Sequence, residues 1–397
     1  MSPTTPIPYG RHFLDEDDIQ AVVEQLRHHS LTQGTQIDAF ERAVAEYVGV
    51  RYAVAVSNGT AALHLACLAG GVGPGDRVIT TPNTFVASAN CALYVGAVPD
   101  FVDIDPLTLN LSPTALAERC RELGTVKAVI PVHFAGLPCD MPAIHEVSTR
   151  AGALVIEDAS HAIGGTYAAG SRVGNCQYAD MTVFSFHPVK QITTGEGGMI
   201  TTNDPLMYRA LLRLRSHGIA KSDDLFQCPG QALTDGKPNR WYYEMQELGF
   251  NYRMTEIQAA LGLSQLRKLD RFVERRRGLA LAYDRAFAAA TDGIRIGQPA
   301  GRAESGHHLY VIRAPFGRDG RPSRNEYMQR LFDRGLITQV HYIPVPLQPY
   351  YRRLGHTLER LPHMQAYYDE CLSIPLFYAL TDAQQLQVIA LLGECLR

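Results

Sequence analysis

The stretch FSFHPVKQITTGEGGMITT, residues 184–202, holds the decision about the fold. It opens on an apolar, aromatic run ending at Phe186, breaks at His187 and Pro188, presents Lys190, and passes through small residues before a second apolar run begins at Met199. Two such short runs flanked by proline and glycine read as strands forming a local antiparallel excursion. Most lysines are solvated surface charges. A lysine becomes a nucleophile only if it spends time unprotonated, which partial burial beside apolar or cationic groups achieves. Here the lysine follows an apolar strand, and Thr193, Thr194, Gly195, Gly197 and Gly198 leave room for a planar ligand.

Working outward, short β-branched runs alternate with helical patterns. Strands are predicted at Ala53 to Val56, Arg77 to Thr80, Ala97 to Val102, Lys127 to Val132, Ala153 to Glu157 and Met181 to Phe186, and helices near Thr60 to Ala69, Thr84 to Tyr94, Pro113 to Leu123 and Met141 to Arg150. This alternation argues for an α/β fold whose mostly parallel sheet is covered on both faces. Two helices precede it: residues 15–27, acidic in the first turn, and a second one capped by Thr35 and ending at Gly49. After Asn251 a long helical stretch from Thr255 to about Ala290 bridges to a smaller α/β unit with a strand at Leu309 to Arg313, a helix at Arg324 to Arg334 and a strand at Thr338 to Tyr342. The expected division is a large domain of residues 1–265 and a small C-terminal domain of residues 266–397.

Composition narrows the class of function. Of 397 residues, 46% are hydrophobic and 19% charged, and no apolar run approaches the length of a bilayer span. The opening MSPTTPIPYGRHF shows no secretory pattern, and the expectation is a cytoplasmic protein. Eight cysteines lie scattered without a CxxC pair or zinc-ligand spacing, and the net charge of −3 comes without a basic tract, so neither a disulfide framework, a metal site nor a nucleic-acid partner is expected. The segment from Asp223 to Pro238, rich in Gly, Pro and Asp, reads as a mobile or partner-contacting loop.

Three segments besides Lys190 bear on chemistry. GGVGPGD, residues 70–76, follows a helix and precedes a strand, the reverse of a nucleotide-binding context, and reads as a turn. In SNGTAALHLA, residues 57–66, a strand end opens directly into a helix, so free N–H groups and the Thr60 hydroxyl make an anion site fit for a phosphate monoester; an ordinary helix cap is the plainer alternative. LVIEDASHAIG, residues 154–164, ends an apolar strand in Glu157 and Asp158, with His161 beyond. Open α/β sheets bind ligands outside the carboxyl ends of their strands, where Asp158 falls.

Taken together, these segments resemble the pyridoxal-phosphate enzymes of fold type I, and more closely the sugar-nucleotide aminotransferases of the DegT/DnrJ/StrS family. The resemblance spans nearly the whole chain through SLTQG, TPNTFVASANCALYVGAVPDFVDID, VHFAG, EDASHAIG, FSFHPVKQITTGEGGMITTND, RSHGI, GFNYRMTEIQAALG and HYIPVPLQPYY. It implies pyridoxal 5′-phosphate as cofactor, bonded covalently to Lys190, which later carries the proton; Asp158 on the pyridinium N–H; Phe85 stacked on the ring with His161 close by; and Gly59, Thr60 and Ser185 on the phosphate. Asn251 is implied to reach the phosphate of a neighbouring subunit, which makes the enzyme a homodimer with shared active sites. Tyr9, Leu31, Thr32, Gln33, Gly34, His341, Tyr342, Ile343 and Pro344 are implied contacts of the nucleotide sugar, alongside Gly59, Ser185 and Asn251.

Some relatives carry histidine at the lysine position and act as dehydratases; Lys190 favours amine transfer. Within the family the chain looks most similar to the UDP-4-amino-4,6-dideoxy-N-acetyl-β-L-altrosamine transaminases of pseudaminic acid biosynthesis. That implies transfer of an amino group from L-glutamate to C4 of a UDP-linked 4-keto-6-deoxy-N-acetylhexosamine. Pro346 departs from the HYIPVH that many relatives read. The rival readings are a C3 or C4 aminotransferase of a dTDP- or GDP-linked keto sugar, a cysteine desulfurase using Cys228, and a cofactor-binding regulatory protein without turnover.

Overall fold

The computed structural model describes residues 6–221, 226–288 and 293–397. Its elements run α1 (Glu16–His28), α2 (Thr35–Val48), β1 (Tyr52–Val56), α3 (Gly59–Ala69), β2 (Arg77–Thr80), α4 (Ala87–Tyr94), β3 (Val98–Phe101), α5 (Pro113–Leu123), β4 (Ala128–Ile130), α6 (Met141–Ala151), β5 (Leu154–Asp158), β6 (Met181–Ser185), β7 (Gly198–Thr202), α7 (Pro205–Leu214), α8 (Glu256–Leu266) and α9 (Leu269–Ala288). The strands form one seven-stranded sheet in the order β1-β7-β6-β5-β4-β2-β3. Its inner pairings are parallel, and β7 alone runs against both its neighbours, β6 and β1. The antiparallel run after Lys190 is therefore no excursion from the sheet: it is inserted into it, between β6 and β1.

Side chains alternate between the two faces with the strand period of two. Along β1, Ala53 and Ala55 enter the core beneath α2, α6 and α8, while Val54 and Val56 enter the core beneath α3 and α7. The same alternation sends Val155 to the first core and Ile156 to the second, so Asp158, two residues beyond Ile156, faces the α3–α4 side. Val183 shares that face, which directs Ser185 to it as well. The α3–α4 side at the carboxyl ends of the parallel strands thus collects the chemistry.

Helix ends follow local signals. Asp15 and Asp18 close a capping box on α1, whose acidic first turn complements the helix dipole. Thr255 does the same for α8 with Gln258. Thr35 is the first residue of α2, and Gly34 is its N-cap, because the Gly34 and Gln36 amides are held by the buried carboxylate of Glu256 rather than by a threonine hydroxyl. The fourth helix begins at Ala87, three residues later than predicted, since Thr84 and Phe85 turn toward a cavity. GGVGPGD is the turn between α3 and β2.

The stretch after Thr255 is two helices. It breaks between Leu266 and Leu269, where Lys268 turns inward to Asp18 at 3.0 Å and to Asp15. The C-terminal part of the chain holds a three-stranded antiparallel sheet from Arg295–Ile296, Tyr310–Arg313 and Cys371–Ile374. The strand predicted at 338–342 is absent from it. Gln339 makes only an isolated bridge to Ser373, and His341 and Tyr342 turn into the cavity instead of continuing a ladder. A separate apolar core joins Ile7 to residues between Leu279 and Leu396, while Leu269, Phe272 and Val273 at the start of α9 belong to the core of the large sheet. Of the loop predicted at 223–238, residues 223–225 lie outside the described residues; the rest includes a short hairpin pairing Leu233–Thr234 with Lys237–Pro238. No helix among the described residues is long and apolar enough to cross a membrane.

Candidate active site

A cavity of about 720 Å³ opens at the carboxyl ends of β1, β5 and β6. Its floor is built by three loops. The first leaves β1 through Ser57 and Asn58 and starts α3. Asn58 takes the Ala61 N–H on its side chain and the Ala62 N–H on its carbonyl, so the first two amides of the helix, of Gly59 and Thr60, are turned to the cavity that both residues line. Ser185 at the end of β6 stands against this turn: a Cβ on Gly59 would come within 3.0 Å of Ser185 Cβ and 3.3 Å of its Oγ. The helix N-terminus with an adjacent hydroxyl is an anion cradle of the size of a phosphate.

The second loop carries the acid. Asp158 is 5% exposed, and each carboxylate oxygen already accepts one hydrogen bond, Oδ1 from Ser160 N at 3.0 Å and Oδ2 from Ser88 Oγ at 2.6 Å. A carboxylate has about four lone-pair sites, so it retains capacity for a ring N–H presented from the cavity. Ser88, whose hydroxyl also meets Thr84 Oγ1 at 2.7 Å, was not foreseen. No local pattern distinguishes it from other small residues of ASANCALY.

The third loop carries Lys190. His187 and Lys190 close a turn through Lys190 N to His187 O, and Thr193 Oγ1 and Thr194 N both donate to Phe186 O. The small residues after the lysine are thus not the cavity wall; of residues 191–198, Glu196 alone lines it. They close the lysine loop and let β7 enter the sheet. A Cβ on Gly198 would lie 2.5 Å from Asn58 O and 2.9 Å from Gly59 N, so glycine there permits β7 to pass against the anion cradle. Lys190 is partly buried, and burial pushes its ammonium down to about 8 against the opposing pull of Asp158. At pH 7 about a tenth of the side chains are then free amine, against less than one in a thousand for an ordinary lysine.

His161 is buried, and its Nδ1 accepts the Ala135 amide at 3.3 Å. Burial first, then Lys190, His341 and His133, drive it well below the usual histidine range, so it is neutral and carries its proton on Nε2. Nε2 faces Tyr342 Oη at 3.1 Å, so the histidine donates and the tyrosine's own proton is turned elsewhere. Burial raises the Tyr342 hydroxyl far above its ordinary value, which keeps it a donor. His341 Nδ1 bonds Ser373 Oγ at 2.8 Å, and its ring lies 5.3 Å from that of Tyr9. Burial, then Lys190, pushes His341 down to about 3. Phe85 presents its ring at the cavity wall with 59% of the residue exposed, an unusual exposure for phenylalanine and one suited to covering a flat ligand.

Of the residues expected at the site, the structure brings together Tyr9, Gly59, Thr60, Phe85, Asp158, His161, Ser185, Lys190, His341 and Tyr342 around this cavity. Leu31, Thr32, Gln33 and Gly34 do not line it; their turn is docked on Glu256 at the start of α8. Nor do Asn251, which is exposed and bridged to Ser216, Ile343 or Pro344. Cys228 is exposed and lies outside the lining. The donor set fits pyridoxal phosphate: an amide-and-hydroxyl cradle for the phosphate, a carboxylate with spare lone pairs for the ring nitrogen, an aromatic face, and a lysine with a depressed pKa.

Comparison with known proteins agrees. The family model described as the DegT/DnrJ/EryC1/StrS aminotransferase family matches residues 12–393. The chain is 39% identical over 380 residues to the spore coat polysaccharide biosynthesis protein SpsC of Bacillus subtilis, covering 95% of this chain and 93% of that one. Among solved structures it is similar to Helicobacter pylori PseC, an aminotransferase involved in the biosynthesis of pseudoaminic acid, with TM-score 0.86, 30% identity and 99% of each chain covered. It is equally similar to Spr1654 of Streptococcus pneumoniae in its PLP form, with TM-score 0.86, 30% identity and 98% of each chain covered. The chain belongs to the DegT/DnrJ/EryC1/StrS aminotransferase family and is a pyridoxal-phosphate-dependent sugar aminotransferase with the aspartate aminotransferase-like fold of type I.

Proposed function

We propose that the enzyme moves an amino group from L-glutamate to C4 of a UDP-linked 4-keto-6-deoxy-N-acetylhexosamine, giving UDP-4-amino-4,6-dideoxy-N-acetyl-β-L-altrosamine. The observation that carries this reading is the likeness to PseC along 99% of both chains, together with the HYIPVP segment whose His341 and Tyr342 line the cavity.

In this reading Gly59, Thr60 and Ser185 hold the phosphate, Phe85 covers the ring, and Asp158 holds the ring nitrogen protonated. When bound, pyridoxal phosphate supplies the electron sink that lets the C–H bond beside the amine break. Lys190 would hold the cofactor at rest, and its amine, once free, is placed to take and return that proton; a held amine, unlike bulk water, would make the configuration at C4 controllable. The neutral His161 would orient the Tyr342 hydroxyl toward the sugar, and His341 and Tyr9 line the cavity beside that tyrosine.

We further propose a homodimer with shared sites. The exposed Asn251 and the turn at Leu31 to Gly34, neither of which lines its own cavity, would serve the partner's phosphate and sugar. The large exposed side chains Trp241, Tyr243, Met245 and Leu248, close to Asn251 in sequence, support a covered face there. The unit of residues 1–265 would hold the cofactor, and that of residues 266–397 would supply the sugar-facing wall.

The 39% identity to SpsC, a spore coat polysaccharide biosynthesis protein, favours keeping a second reading, amine transfer to C3 or C4 of a different keto sugar, linked to dTDP or GDP. Incubating the holoenzyme with glutamate and UDP-linked, dTDP-linked or GDP-linked 4-keto-6-deoxy sugars separates them. Amination of the dTDP or GDP sugar alone would overturn the first.

A further inference from the structure

One buried group at this cavity has no part in the scheme above. His308 lines the cavity, is 4% exposed, and lies with its ring centroid 4.3 Å from that of His161. Its Nδ1 is sealed from solvent without a hydrogen-bond partner, so the ring can engage a ligand only through Nε2. A buried N–H left unpaired is rarer and costlier than an unpaired acceptor, which places the proton on Nε2. Burial, reinforced by His161, Lys190 and Arg276, drives the imidazole well below its ordinary range. A neutral N–H donor results.

The main chain around it is locked. His308 N and Leu309 N both donate to Ala135 O, at 2.9 and 3.2 Å, and Gly136 passes so close that a Cβ on it would lie 2.7 Å from His307 N and 2.9 Å from His308 N. From α9, Arg276 reaches the same segment. It is 2% exposed, and its guanidinium donates to the carbonyls of His307 and His308 at 3.3 Å each and of Leu376 at 2.8 Å. Among the described residues no carboxylate pairs with it. A buried cation answered only by carbonyl dipoles is an expensive way to fill space, since an apolar side chain of similar volume serves packing as well or better.

We propose that His308 is a hydrogen-bond donor of the active site, acting through Nε2 on an oxygen of the bound cofactor or keto sugar, and that Arg276 is the positioning residue that holds it there. This rests on the reading of the cavity as the place where transamination occurs.

The test uses the holoenzyme and follows two half-reactions separately: with glutamate, and with whichever keto sugar nucleotide the wild type turns over. His308→Leu loses about 10- to 100-fold in kcat/KM, while His308→Gln, whose amide keeps a donor near the Nε2 position, stays within about threefold. If the oxygen is the cofactor's, the pH titration of the visible band shifts in His308→Leu without any substrate, and both half-reactions slow. If it is the sugar's, the band is unchanged and only the sugar half-reaction slows. Arg276→Met reproduces the His308→Leu pattern, and adding it to His308→Leu costs nothing further. His308→Leu within threefold of wild type in band and both half-reactions, or His308→Gln as poor as His308→Leu, overturns the role of His308. Independent, multiplying losses in the double variant overturn the positioning role of Arg276. A wild type without a glutamate half-reaction would instead overturn the reading of the cavity itself, and His308 with it.

Discussion

The hydroxyl of Ser88 in α4 donates to Oδ2 of Asp158 at the end of β5 across 2.6 Å, with both residues buried and 70 positions apart in the chain. The strand's alternation turns Asp158 toward the α3–α4 face, and the serine fixes which lone pairs are left for a ligand. A hydrogen bond to a charged group contributes about 1.5–3 kcal/mol. Ser88→Ala should therefore lower kcat by about 10- to 100-fold through misalignment of the carboxylate. Asp158→Asn should lose more, because an amide cannot hold the ring nitrogen protonated. Stopped-flow absorbance of the glutamate half-reaction measures both.

Lys190 is the proton carrier in the proposed scheme. Lys190→Ala should bleach the purified protein of its yellow colour and lower turnover by at least about 10³-fold, toward the upper range for loss of a positioned acid–base group. A Lys190→Ala protein that retained turnover would end the assignment.

The depression of Lys190 to about 8 has two pH consequences. Capture of pyridoxal phosphate by the apoprotein requires the free amine, so its rate should rise about tenfold per pH unit below 8 and level off above it. Stability has the opposite reference point. Between about 8 and the unfolded value near 10.4, the unfolded chain binds a proton that the folded chain does not, so apoprotein stability rises with pH across that window. Below it, the full cost of the buried ammonium is present. Lys190→Met apoprotein should thus be more stable than wild type at pH 7, by about 1–3 kcal/mol, with the gap closing above about pH 10.5. Urea denaturation at the two pH values checks the sign.

Gly59 leaves the space that the phosphate cradle needs. In Gly59→Ala the new Cβ would lie 3.0 Å from Ser185 Cβ, an atom fixed by the backbone of β6, so the turn and the strand end must part by a small shift of the main chain. Cofactor affinity should fall about tenfold, or about 1.4 kcal/mol, with a smaller fall in the melting temperature of the apoprotein. Equilibrium titration with pyridoxal phosphate reads the first and thermal unfolding the second.

Gly262, in the middle of α8, lies under the ring of Phe40 from α2, where a Cβ would come within 2.7–2.9 Å of three ring carbons. The helix would gain about 1 kcal/mol from alanine, but overpacking costs about 1–3 kcal/mol. Gly262→Ala should accordingly lower the melting temperature while leaving the visible band of the folded holoenzyme unchanged.

Alternating apolar runs made the strands β1 to β6 and helices α3, α5 and α6 legible from the chain to within a residue or two, because each is decided by local periodicity and by end signals such as Gly49. Asp158 and the Asn58–Gly59 turn could be placed at strand ends, and Lys190 in the loop after one, for the same reason, while the roles expected of them came from the family resemblance. What the chain alone did not show is set by long-range packing. The insertion of β7 between β6 and β1 depends on Gly198 clearing Asn58, and the loss of a strand at 338–342 depends on His341 and Tyr342 turning into the cavity. Ser88 under Asp158, and His308 held by Arg276, pair side chains from distant segments. No one-dimensional period records such a pairing, since it is decided only when the sheet's alternation and the helix packing bring the faces together.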